Sequence, residues 1–215
     1  MVALKICGLV RAEDLQCCRA LGVGAVGLNL WPGSPRGRTI AEHAAMLAAA
    51  GAASRREPLR VGVFVDPPVA LVCDAIAALG LAAVQLHGDA DPAAVLAAVT
   101  VPWIRVVRGT PPLHELRASL QHAPPPAWLL LDAKVEGYGG QGVATDWAWA
   151  AAVVAALAPL PVWLAGGIHP GNAAAAIAAV APAGLDVASG AEAGTPVGAK
   201  DCDAIAALVR ACAGG

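Results

Sequence analysis

Charge is scarce in this chain. Lysine and arginine number 14 and aspartate and glutamate 16 among 215 residues, 14% in all, for a formal net charge of −2. Without a basic excess no nucleic-acid partner is expected, because such grooves draw much of their affinity from cations set against phosphates. The chain also has only one Phe and one Tyr, although it has six Trp. Its six cysteines contain no C-x-x-C and its five histidines are scattered, so neither a metal site nor a disulfide scaffold is expected. Cys17, Cys18, Cys73, Cys202 and Cys212 fall in expected helices and read as small packed hydrophobes. No low-complexity tail or inter-domain linker interrupts the sequence.

Apolar residues are abundant. Hydrophobic types reach 58%, above the usual ~45–50%, and that excess excludes a disordered chain. The uncharged run from Trp147 to Ile168 is long enough to cross ~30 Å of hydrocarbon. Pro159 and Pro161 interrupt it and Gly166-Gly167 end it, so helix, turn and strand is the better reading and no membrane partner is expected. The apolar N-terminal stretch is too short before Arg11, Glu13 and Asp14 for a signal peptide. A soluble, cytoplasmic protein is the expectation.

Short β-branched or leucine-rich runs alternate with alanine-rich stretches. Strands are predicted at Ala3–Cys7, Ala25–Leu30, Arg60–Val65, Ala83–Leu86, Trp103–Val107, Trp128–Leu131, Val162–Ala165 and Leu185–Ala188. Helices are predicted near 12–21, 40–52, 68–79, 91–99, 113–121, 146–157, 171–180 and 202–212. Eight strands in strict alternation with eight helices predict a single-domain (β/α)8 TIM barrel over residues 1–215. A dinucleotide-binding sheet would carry G-x-G-x-x-G after its first strand, where this chain has Cys7-Gly8-Leu9. Barrels of this kind place their chemistry at the C-terminal ends of the strands.

Cys7 closes the first strand, two residues after Lys5, so the two share a face. It reads either as a base or nucleophile at the barrel mouth or as a small packed cysteine. Asp132 follows the sixth strand and precedes a long loop through Gly139-Gly140-Gln141-Gly142, a common place for a general acid. Asp146, not Asp132, is positioned to cap the next helix, and Asp66-Pro67-Pro68 reads as a helix N-cap. Gly166-Gly167 and Ser189-Gly190 follow strands seven and eight, the recurrent phosphate position of this fold. Arg36 and Arg38, in the loop after strand two, could each grip a carboxylate bidentately. Glu136, Tyr138, His87 and His169 read as loop residues or residues behind the site, and Lys5 as a partner for Asp186.

Taken together, Lys5-Ile6-Cys7-Gly8, Val84-Gln85-Leu86-His87-Gly88, Leu130-Leu131-Asp132, Leu164-Ala165-Gly166-Gly167-Ile168 and Asp186-Val187-Ala188-Ser189-Gly190 resemble phosphoribosylanthranilate isomerase. The resemblance runs in order along essentially the whole chain. It implies an Amadori rearrangement in tryptophan biosynthesis, without cofactor or metal, on a small phosphorylated aminosugar, by a monomer or homodimer. It also implies that Cys7 is the general base and Asp132 the general acid. The family's Ser-x-Arg pattern matches Ser34-Pro35-Arg36 and its Arg-x-Ile pattern matches Arg38-Thr39-Ile40, so both arginines remain candidates for the anthranilate carboxylate, with Arg36 favoured because Pro35 stiffens its loop. Leu28, Leu30, Arg105 and Gly171 depart from the family pattern. The related sugar isomerase of histidine biosynthesis usually has an aspartate where Cys7 stands. A phosphate-binding barrel without turnover is the reading from another class.

Overall fold

In the computed structural model, residues 1–52, 57–121, 123–133 and 144–214 are described. Their strands are β1 (Ala3–Cys7), β2 (Ala25–Asn29), β3 (Leu59–Val65), β4 (Ala83–His87), β5 (Trp103–Arg108), β6 (Trp128–Asp132), β7 (Val162–Leu164) and β8 (Gly184–Val187). The helices that follow them are α1 (Ala12–Leu21), α2 (Ile40–Ala49), α3 (Val69–Leu79), α4 (Ala93–Ala98), α5 (Leu113–Leu120), α6 (Trp147–Leu157), α7 (Ala173–Val180) and α8 (Cys202–Ala213). All neighbouring strands pair in parallel, and β1 pairs with both β2 and β8, closing the barrel. The (β/α)8 expectation therefore holds.

Parallel strands covered by helices are buried on both faces, which is why their sequences are apolar runs without clean alternation. Phase still separates the two faces. Leu129 and Leu131 of β6 join the large core beneath the helices, while Leu130 points inward. Ala25, Val61, Ala83, Ile104, Leu130 and Ala165 fill the barrel's apolar interior, and Trp128 stacks on Trp163 at 5.5 Å. Three alanines and the branched Val61, Ile104 and Leu130 together make the interior a packed core and not a pore. One step further along the strands the interior turns polar, with Lys5, Gln85, Asp132 and Asp186 all buried.

Local signals set several element ends. Thr39 and Glu42 form a reciprocal capping box on α2, and Asp146 accepts from the Trp149 amide to cap α6 as expected. No described helix is long and apolar enough to cross a membrane. Three sequence readings need correction. Asp66 does not cap α3; its carboxylate accepts from the Ala90 amide instead, tying the β3 and β4 loops together. Cys17 and Cys202 are not lone hydrophobes but a disulfide joining α1 to α8. Finally, β4, β5 and β6 each run one residue further than expected, to His87, Arg108 and Asp132.

Candidate active site

Lys5 and Cys7 lie on the inward face of β1, with Asp186 next to Lys5 in register on β8. Lys5 Nζ stands 2.9 Å from both carboxylate oxygens of Asp186, and the lysine is 1% exposed. A buried ammonium is tolerable only with such a partner. Burial disfavours its charge, but Asp186 and Cys7 outweigh burial and leave the Lys5 pKa raised. Cys7 is a free thiol at the end of the strand. Burial leaves its pKa raised, with Asp186 adding to the rise, although the Lys5 and Lys200 ammonium groups pull the other way by favouring a thiolate.

Asp132 ends β6, facing inward with 8% of its surface exposed, and accepts from the Ala133 amide at 2.9 Å. Burial, helped by the negative charge of Asp186, raises its pKa to about 6. A carboxyl group so placed keeps its proton far more readily than one in water. In register beside it is Arg108 of β5, whose charge pulls the other way. His87, at the end of β4, touches Gln85 at 2.8 Å and is held neutral, its pKa pushed down to about 3 by burial and the cations Lys5 and Arg108.

Arg36 is the buried arginine of the loop after β2, 7% exposed. Its stem crosses Gly8, where a Cβ would come within 2.5 Å of the arginine Cδ, so glycine at φ +74° is what lets Arg36 lie beside the tip of β1. Its Nε and Nη2 donate to the two Glu192 oxygens at 2.6 and 3.0 Å. Lys200 Nζ donates to the same carboxylate at 3.0 Å and to the Ala188 carbonyl at 3.1 Å. Burial would raise the Glu192 pKa, but the hydrogen bonds and charges of Arg36 and Lys200 carry it below its usual value. Arg38 instead donates to carbonyls of its own loop, Pro35 and Gly37.

Gly166 and Gly167 follow β7 with φ of +81° and +65°. Ser189, Gly190 and Ala191 make a single 3₁₀ turn after β8. A Cβ at Gly190 would overlap the Ile168 carbonyl oxygen, so these two turns pack backbone against backbone. Gly190 is thus required by packing, whatever it binds.

A closed parallel barrel with a thiol at the end of β1 and a carboxyl at the end of β6 coincides with a match of residues 4–211 to the family model for N-(5'-phosphoribosyl)anthranilate isomerase. The chain belongs to this isomerase family of tryptophan biosynthesis. An isomerase of this name from Myxococcus xanthus is 40% identical over 98% of this chain and 95% of its own length. The phosphoribosyl anthranilate isomerase of Thermus thermophilus superposes with a TM-score of 0.80 at 33% identity, covering 99% of each chain. Another family structure, in complex with reduced 1-(o-carboxyphenylamino)-1-deoxyribulose 5-phosphate, superposes with a TM-score of 0.79 at 27% identity, covering all of each chain.

The barrel gathers Cys7, Asp132, Arg36, Gly166, Gly167, Ser189 and Gly190 onto strand ends or the loops that follow them. Glu136, Tyr138 and Gly139-Gly140-Gln141-Gly142 lie outside the described residues. His169 is a turn residue whose Nδ1 accepts from the Gly171 amide. The sequence assigned no role to Glu192 or Arg108, and Lys200 entered only with Asp201 as the end of the family resemblance. The inward phase of Ile104 and Val106 extends to Arg108, which lies one residue beyond the strand expected from the apolar run. Leu28 and Leu30 are both buried, Leu28 at 0% exposure and Leu30 at 6%.

Proposed function

We propose that this barrel isomerises N-(5-phosphoribosyl)anthranilate to 1-(2-carboxyphenylamino)-1-deoxyribulose 5-phosphate, with Asp132 as general acid and Cys7 as general base. The observation that carries the assignment is the pairing itself. One inward-facing strand end bears a carboxyl that holds its proton to a pH of about 6, and another bears a thiol flanked by Lys5 and Lys200. Aldose-to-ketose rearrangement needs one group that gives a proton and one that takes it.

Asp132 gives its proton to the furanose ring oxygen as the nitrogen lone pair forms the C1=N bond and the C1–O bond breaks. The Cys7 thiolate then removes the proton from C2. The C2–H electron pair forms the C1=C2 bond, and the C=N electrons return to nitrogen. The resulting enolamine tautomerises to the ketone. Neither step changes the substrate's net oxidation state, so no redox cofactor is required. Lys5 and Lys200 favour the thiolate, and Asp186 keeps Lys5 in place.

For the phosphate, the support is the pair of glycine-containing turns after β7 and β8, whose backbone N–H groups suit an anion. For the anthranilate carboxylate it is Arg36, the arginine of this loop whose stem runs past Gly8 beside Cys7. A fluorescence assay following loss of freshly generated phosphoribosylanthranilate tests the reading. Turnover is expected with no added nucleotide or flavin and after exhaustive chelation. Well-folded protein that gives no turnover, or gives it only after a metal is restored, would contradict it.

A further inference from the structure

Among the described residues, Arg36 engages Glu192 with one edge of its guanidinium. Nε and Nη2 make the paired contact at 2.6 and 3.0 Å, which leaves the end formed by Nη1 and the second hydrogen of Nη2. That end is itself a two-donor fork suited to a second carboxylate. Glu192 is in turn held by Lys200, whose side chain is fully buried and whose Nζ also meets the Ala188 carbonyl. The backbone braces the arrangement as well. Glu192 and Lys200 form an antiparallel bridge, the Lys200 amide donates to Asp14 at 3.1 Å, and Arg11 donates to the Lys200 carbonyl.

Two cations share one anion in this cluster, so Arg36, Glu192 and protonated Lys200 together carry one unbalanced positive charge; burial lowers the Lys200 pKa, and Glu192 opposes that shift. Without Lys200, Glu192 would cancel Arg36, and an incoming carboxylate would meet a neutral pair. With Lys200, the guanidinium is fixed in orientation and the group still attracts an anion. The Glu192 side chain itself is only 8% exposed. Its own amide donates to Ser189, in the turn that follows β8. The segment 189–192 therefore links the turn assigned to phosphate with the anchor of Arg36.

We propose that Glu192, braced by Lys200, is a positioning residue that presents the free end of Arg36 to the substrate carboxylate and so sets selectivity for a carboxylated arylamine. This rests on the assignment of Arg36 to that carboxylate. Glu192 does not touch the reacting atoms. Its contribution lies in the angle and rigidity of the guanidinium.

The test compares binding of two product analogues, 1-(2-carboxyphenylamino)-1-deoxyribulose 5-phosphate and its phenylamino counterpart without the carboxylate, to wild type, Glu192→Gln and Arg36→Ala. In Glu192→Gln, affinity for the carboxylated analogue should fall by about tenfold or more, as expected for losing oriented charge-assisted hydrogen bonds. Affinity for the phenylamino analogue should stay near wild type, and KM should rise more than kcat falls. Glu192→Gln/Lys200→Gln, which leaves no uncompensated buried lysine, keeps the question open to test if the single variant folds poorly, and should show the same loss of preference. Arg36→Ala separates the two claims. If it keeps the wild-type preference, Arg36 is not the carboxylate ligand and the underlying assignment fails. If Arg36→Ala loses the preference while the folded Glu192 variants retain it, the assignment stands and the role of Glu192 is overturned.

Discussion

In the proposed mechanism Cys7 and Asp132 react in protonation states that run against their ordinary order, because the carboxyl must be protonated while the thiol is ionised. The populated fraction of that reactive pair rises with pH while Asp132 stays protonated. It levels off once Asp132 titrates near pH 6, where each proton lost from the acid offsets one lost from the thiol, and it falls after the thiol has ionised. We therefore expect kcat/KM to climb and then break near pH 6 in the wild type. In Asp132→Asn the break should vanish, with the smaller residual rate climbing on until Cys7 ionises. A break near 6 that survives in Asp132→Asn would assign that titration to another group. The placement of these two residues was legible in the sequence, Cys7 from its period-two phase with Lys5 and Asp132 from its position at the tip of the sixth strand before a long loop. The placement of Glu192 was not, since it follows a short turn outside any regular element and meets Arg36 and Lys200 only when distant loops pack together.

Among the elements, α1 and α8 meet where the first and last units of the barrel close on each other, and Cys17–Cys202 joins them across a sequence separation of 185. A crosslink over so long a loop restricts the unfolded chain strongly, with a stabilisation on the order of 2–5 kcal/mol. Reduction, or Cys17→Ser/Cys202→Ser, should lower the unfolding free energy by that amount in denaturant titrations and leave kcat little changed. No change in the unfolding midpoint would mean that the α1–α8 packing alone holds the seam. Cysteine count and spacing could not reveal this pair, because proximity arises only after eight units have closed. Asp66 is a comparable case: the Asp-Pro-Pro pattern has the chemistry of a cap, yet the carboxylate finds the Ala90 amide of the neighbouring loop. Helix and strand limits, by contrast, followed within a few residues from the alternation of alanine-rich stretches with β-branched or leucine-rich runs.

For the molecule as a whole, the closed barrel sets the division between an apolar floor around Ala25, Val61, Ala83, Ile104, Leu130 and Ala165 and a charged mouth above it. Strict alternation of strands and helices made that architecture readable. The pairing of Lys5 with Asp186 became expected once β1 and β8 were neighbours. The charge network around Arg36 was harder to foresee, because it joins residues from opposite ends of the chain through loops. The central claim is that two side chains at this mouth move the protons. The most direct measurement is kcat for Cys7→Ala and Asp132→Asn, alongside product affinity and a melting curve for each. Both variants should fold and bind product, with kcat lower by at least about a hundredfold. A folded variant of either residue that turns over near the wild-type rate would contradict the account.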